Sequence, residues 1–146
     1  VGVPFFLAFS WLLGLPIQRD PRVLAVFLTS ALAGFVTLFL IQFLIGLLTF
    51  WFERIFGIRD VIFSVFMLFS GQLIPISVLP RSLAAVSRYL PFEGIYFIPG
   101  TIYAQGHLGP DVAGHLLRQV IWITVLCAGV AVAWSRGVAR YASQGG

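Results

Sequence analysis

Apolar stretches separated by short polar clusters organise this chain. Residues 2–17 form the first and end in Gln18-Arg19-Asp20-Pro21-Arg22. This run is a little short for a membrane crossing, which takes about 20 residues. Residues 23–52 form the second and contain no charge. At about 1.5 Å per residue, such a helix exceeds a hydrocarbon core of roughly 30 Å, so it tilts or its last turns leave the bilayer. It closes on Phe50-Trp51-Phe52, an interfacial aromatic belt. Small residues recur four apart, Ser30 with Gly34 and Ala33 with Thr37, which predicts close helix packing.

A charged connection, residues 53–60, leads to the third stretch, residues 61–79, which is charge-free and of spanning length. Ser70-Gly71-Gln72 lies near its far end, followed by Pro75 and Pro80, where helical hydrogen bonding should fail. Residues 81–90 place Leu83, Val86 and Leu90 near helical spacing between Arg81 and Arg88, the pattern of a short interfacial or re-entrant helix. Pro91-Phe92-Glu93-Gly94 breaks it. Residues 95–104 are too short to cross and carry Pro99-Gly100 within them, so they form a second half-depth segment. A loop at residues 105–111 leads to the fifth stretch, residues 112–135, with a tail from Arg136 that leaves the membrane. The fold class expected is therefore all-α integral membrane, with four transmembrane helices and a broken re-entrant hairpin before the last. The 105–111 loop should share one side with residues 18–22. The 53–60 connection and the tail should share the other. The chain opens on Val and is already apolar, so it reads as the C-terminal part of something longer, forming a single transmembrane domain over residues 1–146.

Composition supports lipid as the solvent. Of 146 residues, 60% are hydrophobic and 10% charged, where a soluble domain carries about 25%. A chain this short cannot hide the difference in its interior. All nine basic residues are arginines, giving a net charge of +4. They sit singly or in pairs at the ends of apolar runs, where a guanidinium reaches headgroups, and they form no stripe for nucleic acid. Cys127, inside an apolar run, has no intramolecular disulfide partner.

Candidate chemistry is sparse. The Asp and Glu residues sit at boundaries or in loops, and no HExxH, GxSxG or Cys/His pair occurs, so neither catalytic residues nor a metal site are expected. His107 and His115 read as interfacial polar residues. A chain without lysine holds no P-loop, because that motif needs a lysine on the β- and γ-phosphates. No cofactor is expected on this chain, and any ATP must be bound by a separate chain or domain. Gln42 lies deep in the second stretch and reads first as an interhelical hydrogen bond, with substrate contact as the alternative. Gln42, Ser70 and Gln72 are the substrate-path candidates. Phe63, Phe66 and Phe69 read as lipid contact or packing before they read as a path for flat apolar cargo.

The run Phe50-Trp51-x-Glu53-Arg54-x-x-Gly57-x-Arg59 precedes a span ending Ser70-Gly71-x-x-x-Pro75-x-x-x-x-Pro80. Leu90-Pro91-Phe92, Pro99 and a closing Arg136-Gly137-x-x-Arg140-Tyr141-x-x-x-Gly145-Gly146 follow. This order resembles the permease subunits of type-2 ABC exporters, the ABC-2 family, and within it the viologen or daunorubicin-export branch. The resemblance implies six spans in the full permease, of which these are the last four, in the plasma membrane of a bacterium. It also implies pairing with a separate ABC ATP-binding subunit and with a second permease copy or paralogue. It makes residues 53–60 a cytoplasmic link, with Glu53, Arg54, Arg59 and Asp60 as candidates for coupling to the ATPase. It makes residues 70–104 an extracellular broken hairpin, with Gly71, Pro75, Pro80, Pro91 and Pro99 as hinge positions. The alternative to a permease is a non-transport assembly or anchoring protein of the membrane.

Overall fold

The computed structural model of the chain describes residues 18–52, 56–72, 76–106 and 108–144. The first apolar stretch, the expected first span, lies outside the described residues, as do Glu53, Arg54, Pro75 and His107. Among the described residues every regular element is helical.

Helix α1 covers Pro21–Leu47 and continues as a 3₁₀ turn, Leu48–Phe50. Its start is set locally. Asp20 Oδ1 accepts the Arg22 N–H at 2.8 Å, and Pro21 occupies the first turn, where a missing N–H costs nothing. Helix α2 covers Phe56–Phe69. It begins before residue 61 and ends before Pro75, earlier than the prolines alone would require. Gly71 adopts φ +77°, a left-handed conformation that stops the helix directly after Ser70. At 14 residues, α2 rises only about 21 Å, short of a full crossing.

A 3₁₀ turn, Ile76–Val78, leads to α3, Arg81–Ser87. Leu83 and Val86 are exposed, and Ser87 is the buried side chain, its hydroxyl closed onto the Ala84 carbonyl at 2.9 Å. Helix α4 covers Phe97–Gln105 and is not interrupted by Pro99. That proline falls in the first turn, where its N–H has no helical acceptor to lose. Gly106, at φ +67°, caps the other end.

Helix α5 covers Val112–Gln144, so the expected tail is no separate element and continues the same helix past Arg136 and Arg140. Two helical segments are long and apolar enough to cross a membrane, Pro21–Phe50 and Val112–Arg140. The four spans expected thus reduce to two among the described residues.

The two long helices run parallel, with α4 against α1. At one end Val23, Ile98 and Ile102 form a buried cluster joined by Phe27 and Val112. The Gln18 N–H donates to the Tyr103 hydroxyl there at 3.5 Å, and the Gln18 amide lies against Gly106. At the other end Trp134 of α5 stacks on Phe43 at 6.3 Å and meets Phe50 edge-on at 6.5 Å. Gly137 lies so close beneath the Phe50 ring that no Cβ fits. Residues 18–22 therefore share an end with the 105–111 loop, and residues 48–52 share the opposite end with the last turns of α5.

Candidate functional site

Among the described residues two polar regions lie within the apolar bundle. The first is built around Gln119, two turns into α5. Its side chain is fully paired. Ser30 Oγ donates to Gln119 Oε1 at 3.1 Å, while Gln119 Nε2 donates to the Ser30 carbonyl at 3.0 Å and the Gly94 carbonyl at 2.6 Å. Gly34, one turn further along α1, lacks the side chain that would block this turn. A Cβ there would fall 2.8 Å from the carbonyl oxygens of both Gly94 and Ile95. The Ser30/Gly34 spacing is thus used to seat a turn of backbone, not a neighbouring helix.

Depth gives this arrangement its meaning. Gly34 lies 13 residues beyond Pro21, about 20 Å along α1. The broken hairpin therefore re-enters the bundle to roughly mid-helix. Irregular backbone survives at that depth only if its polar groups are satisfied inside the protein. Gln119 satisfies the Gly94 carbonyl, the Ile95 N–H reaches the Phe92 carbonyl at 3.0 Å, and the Ile98 N–H reaches the Glu93 carbonyl at 3.1 Å.

Arg118, the neighbour of Gln119, grips the same turn from its polar side. Its Nη1 donates to the Arg88 carbonyl at 3.2 Å and lies 3.9 Å from Glu93 Oε2; its Nη2 donates to His115 Nδ1. Glu93 is only 6% exposed, and its Oε2 has no hydrogen-bond partner. That ion pair is long, and it is what compensates a buried carboxylate.

The second region is an open cleft of about 390 Å³ between α1 and α2. Its walls include Ile41, Ile45, Ile62 and Phe63, and its polar groups are Gln42, Arg59 and Asp60. Phe66 closes its inner edge. It is buried and plugs α2 onto the re-entrant turn, with its ring centroid 6.0 Å from both Phe92 and Tyr96. Gln42 is exposed, and among the described residues its amide makes no hydrogen bond, so the interhelical bond first read for it is not formed there. Arg59 and Asp60 lie 3.6 Å apart, both more than half exposed.

The sequence-derived sites are thus regrouped. Gln42 joins Arg59 and Asp60 of the connection at one cleft. Ser70 and Gln72 do not join it. Ser70 is buried, its Oγ accepting the Gln72 N–H at 3.4 Å, and the neighbouring Gly71 packs on Phe97, while the Gln72 side chain is exposed. Of the positions named as hinges, Gly71 is left-handed, Pro80 precedes α3, Pro91 opens the re-entrant turn, and Pro99 sits inside α4. Gln119, Arg118 and Glu93, which hold that turn, did not stand out in the sequence. The signal available was an Arg-Gln pair at the start of an otherwise charge-free run.

A family model described as ABC-2 family transporter protein matches residues 2–145. The chain belongs to the ABC-2 transporter family. Comparisons with curated proteins and with solved structures return no match. As an ABC-2 family chain it is a membrane transport component, and lipid is the natural solvent for its outer faces. Leu28, Leu32, Phe35 and Phe39 of α1, and Leu117, Ile121 and Val125 of α5, are exposed accordingly.

Proposed function

We propose that the chain forms the membrane-spanning permease of an ATP-driven ABC exporter and contributes half of the translocation pathway. The observation that carries this reading is the family match over residues 2–145. In this reading ATP is hydrolysed on a separate ATP-binding subunit. A second permease copy or paralogue supplies the other half, in a bacterial plasma membrane. The order of Gly, Pro and Arg motifs favours the viologen or daunorubicin-export branch.

Within this reading, Gln42 is the side chain of α1 that meets cargo. Arg59 and Asp60, at the start of α2, transmit motion from the ATPase together with Glu53 and Arg54. A push on Arg59 reshapes the cleft holding Gln42, because both line it. The turn held by Gln119 is the fixed abutment against which α2 moves, through Phe66.

The test is ATP-dependent uptake of methyl viologen and of daunorubicin by inverted membrane vesicles, with and without the ATP-binding subunit. The permease reading expects uptake only with both subunits and ATP. Uptake without an ATPase contradicts it. A stable complex whose ATPase activity and vesicle uptake are both indifferent to the permease supports an anchoring role instead.

A further inference from the structure

We infer that His115 is an acid-sensitive latch on the re-entrant turn: when its imidazole takes up a proton, Arg118 leaves it and closes on the Glu93 carboxylate. This goes beyond the transport reading and rests on the contacts of the turn alone.

The contacts of His115 fix its charge state. Arg118 Nη2 donates to His115 Nδ1. A guanidinium has donors only, so Nδ1 must offer a lone pair. The imidazole is therefore neutral, with its proton on Nε2. Arg118 is held a second time by Nη1, which donates to the Arg88 carbonyl at 3.2 Å. Glu93 fares worse. Its Oε2 is buried, lies 3.9 Å from Arg118 Nη1 and makes no hydrogen bond among the described residues. One guanidinium thus serves a neutral imidazole and leaves a carboxylate beside it unserved.

Protonation reverses that choice. An imidazolium carries N–H on both nitrogens, so Nδ1 no longer accepts. It also sets a positive charge directly against the guanidinium. Both effects separate Arg118 from His115. The unserved acceptor within reach is Glu93 Oε2, and a shift of about 1 Å turns the long ion pair into a charge-assisted hydrogen bond. Glu93 belongs to the turn whose Gly94 and Ile95 carbonyls sit on Gly34. The shift therefore tightens the grip of α5 on that turn.

The site is open to protons. His115 is half-buried on the wall of an open cavity of about 640 Å³. The charged groups described around it come from the elements that meet there. Arg88 follows α3, Glu93 lies in the turn, Asp111 precedes α5, and Arg118 shares its helix. Helix α4 contributes Phe97, which carries no charge. Of the four charged groups, Arg118 hydrogen-bonds to the ring and is the one that protonation displaces. Histidine is also the side chain that ordinarily changes charge between about pH 5 and 8.

The test is a double-mutant cycle of Arg118→Met and Glu93→Gln in the full chain in detergent, read as shifts in Tm at about pH 8 and pH 5. The latch expects the Arg118–Glu93 coupling to be at least about twofold larger in acid. In a His115→Asn background, whose amide oxygen accepts at either pH, the coupling should stay at its alkaline size. His107→Asn should leave the rise intact. A coupling that is unchanged or smaller in acid overturns the inference. So does a rise that survives His115→Asn or is lost with His107→Asn. A second readout is nitrogen NMR of the parent imidazoles, with His115 assigned by the signal that His115→Asn removes. The alkaline form should be the Nε2–H tautomer, and the acid form imidazolium. An Nδ1–H tautomer in alkali, or a His115 ring still neutral in acid, overturns the inference without any reference to stability.

Discussion

Two glutamines, each in an apolar helix, have opposite fates in this protein. Gln119 is buried, and its side chain makes three hydrogen bonds across α5, α1 and the re-entrant turn. Gln42 is exposed on the wall of an open cleft and makes none among the described residues. One region is closed by polar pairing; the other keeps its polar group available. In a membrane protein the hydrophobic effect does not drive helices together, so a satisfied amide fixes structure and an unsatisfied one asks for a ligand. The comparison separates the part of the molecule that is held from the part that is free to bind.

The sharpest way to break the comparison is at Gly34. Gly34→Leu drives a side chain into the Gly94 and Ile95 carbonyls, which lie 2.8 Å from an ideal Cβ. The re-entrant turn must leave its seat, and we expect a loss of about 3 kcal/mol or failure to fold, read by thermal unfolding in detergent. Gln119→Leu comes next. It leaves the Ser30 hydroxyl and the Gly94 carbonyl unpaired at depth, at a cost of roughly 2 kcal/mol. In a double-mutant cycle with Ser30→Ala, the two losses should fall short of additive, because both changes remove the same hydrogen bond.

Arg118→Met tests the other grip on the turn. It strands the Glu93 carboxylate, and because the Arg118 side chain is 37% exposed, solvent screening limits the loss to about 1 kcal/mol. Adding Glu93→Gln should recover much of that loss, since the stranded charge is its cause. The smallest stability effect belongs to Gln42→Leu, within roughly 0.5 kcal/mol of the parent by the same unfolding measurement. Its effect should appear in ligand binding and transport. A Gln42→Leu protein as unstable as Gln119→Leu would place both glutamines in the same structural role.

Local patterns in the sequence located the elements well where their cause was local. The Asp20-Pro21 start of α1, the charge-free run of α5 and the shortness of the segments between Pro80 and Gly106 are properties of adjacent residues, and the helices follow them. Two misreadings came from judging a residue without its position in the helix. Pro99 read as a break, yet in the first turn of α4 it removes nothing. Pro75 read as the end of α2, whereas Ser70-Gly71 ends it first through the left-handed glycine. On α3 the exposed Leu83 and Val86 are at no disadvantage in lipid, so amphipathic spacing alone does not say which face points inward.

The site was less legible, because it is made by contacts distant in sequence. Ser30 and Gly34 were visible as a small-residue pair, but only the fold shows that a turn 60 residues away fills the space they leave. Glu93 sat in a stretch that read as a loop, and loops are ordinarily solvated. Its burial comes from the re-entrant path of residues 88–96. Gln42 was visible as an anomaly, and the cleft gives the anomaly a place.

The central claim, a turn held at mid-helix beside a cleft left open, is tested most directly by thiol accessibility. In a Cys127→Ser background, Gln42→Cys and Ile95→Cys are each reacted with a small hydrophilic thiol reagent in reconstituted membranes. The account predicts modification at position 42 at least about tenfold faster than at position 95, because the first lines an open cleft and the second is buried against Gly34. Equal rates, or faster reaction at position 95, would contradict it.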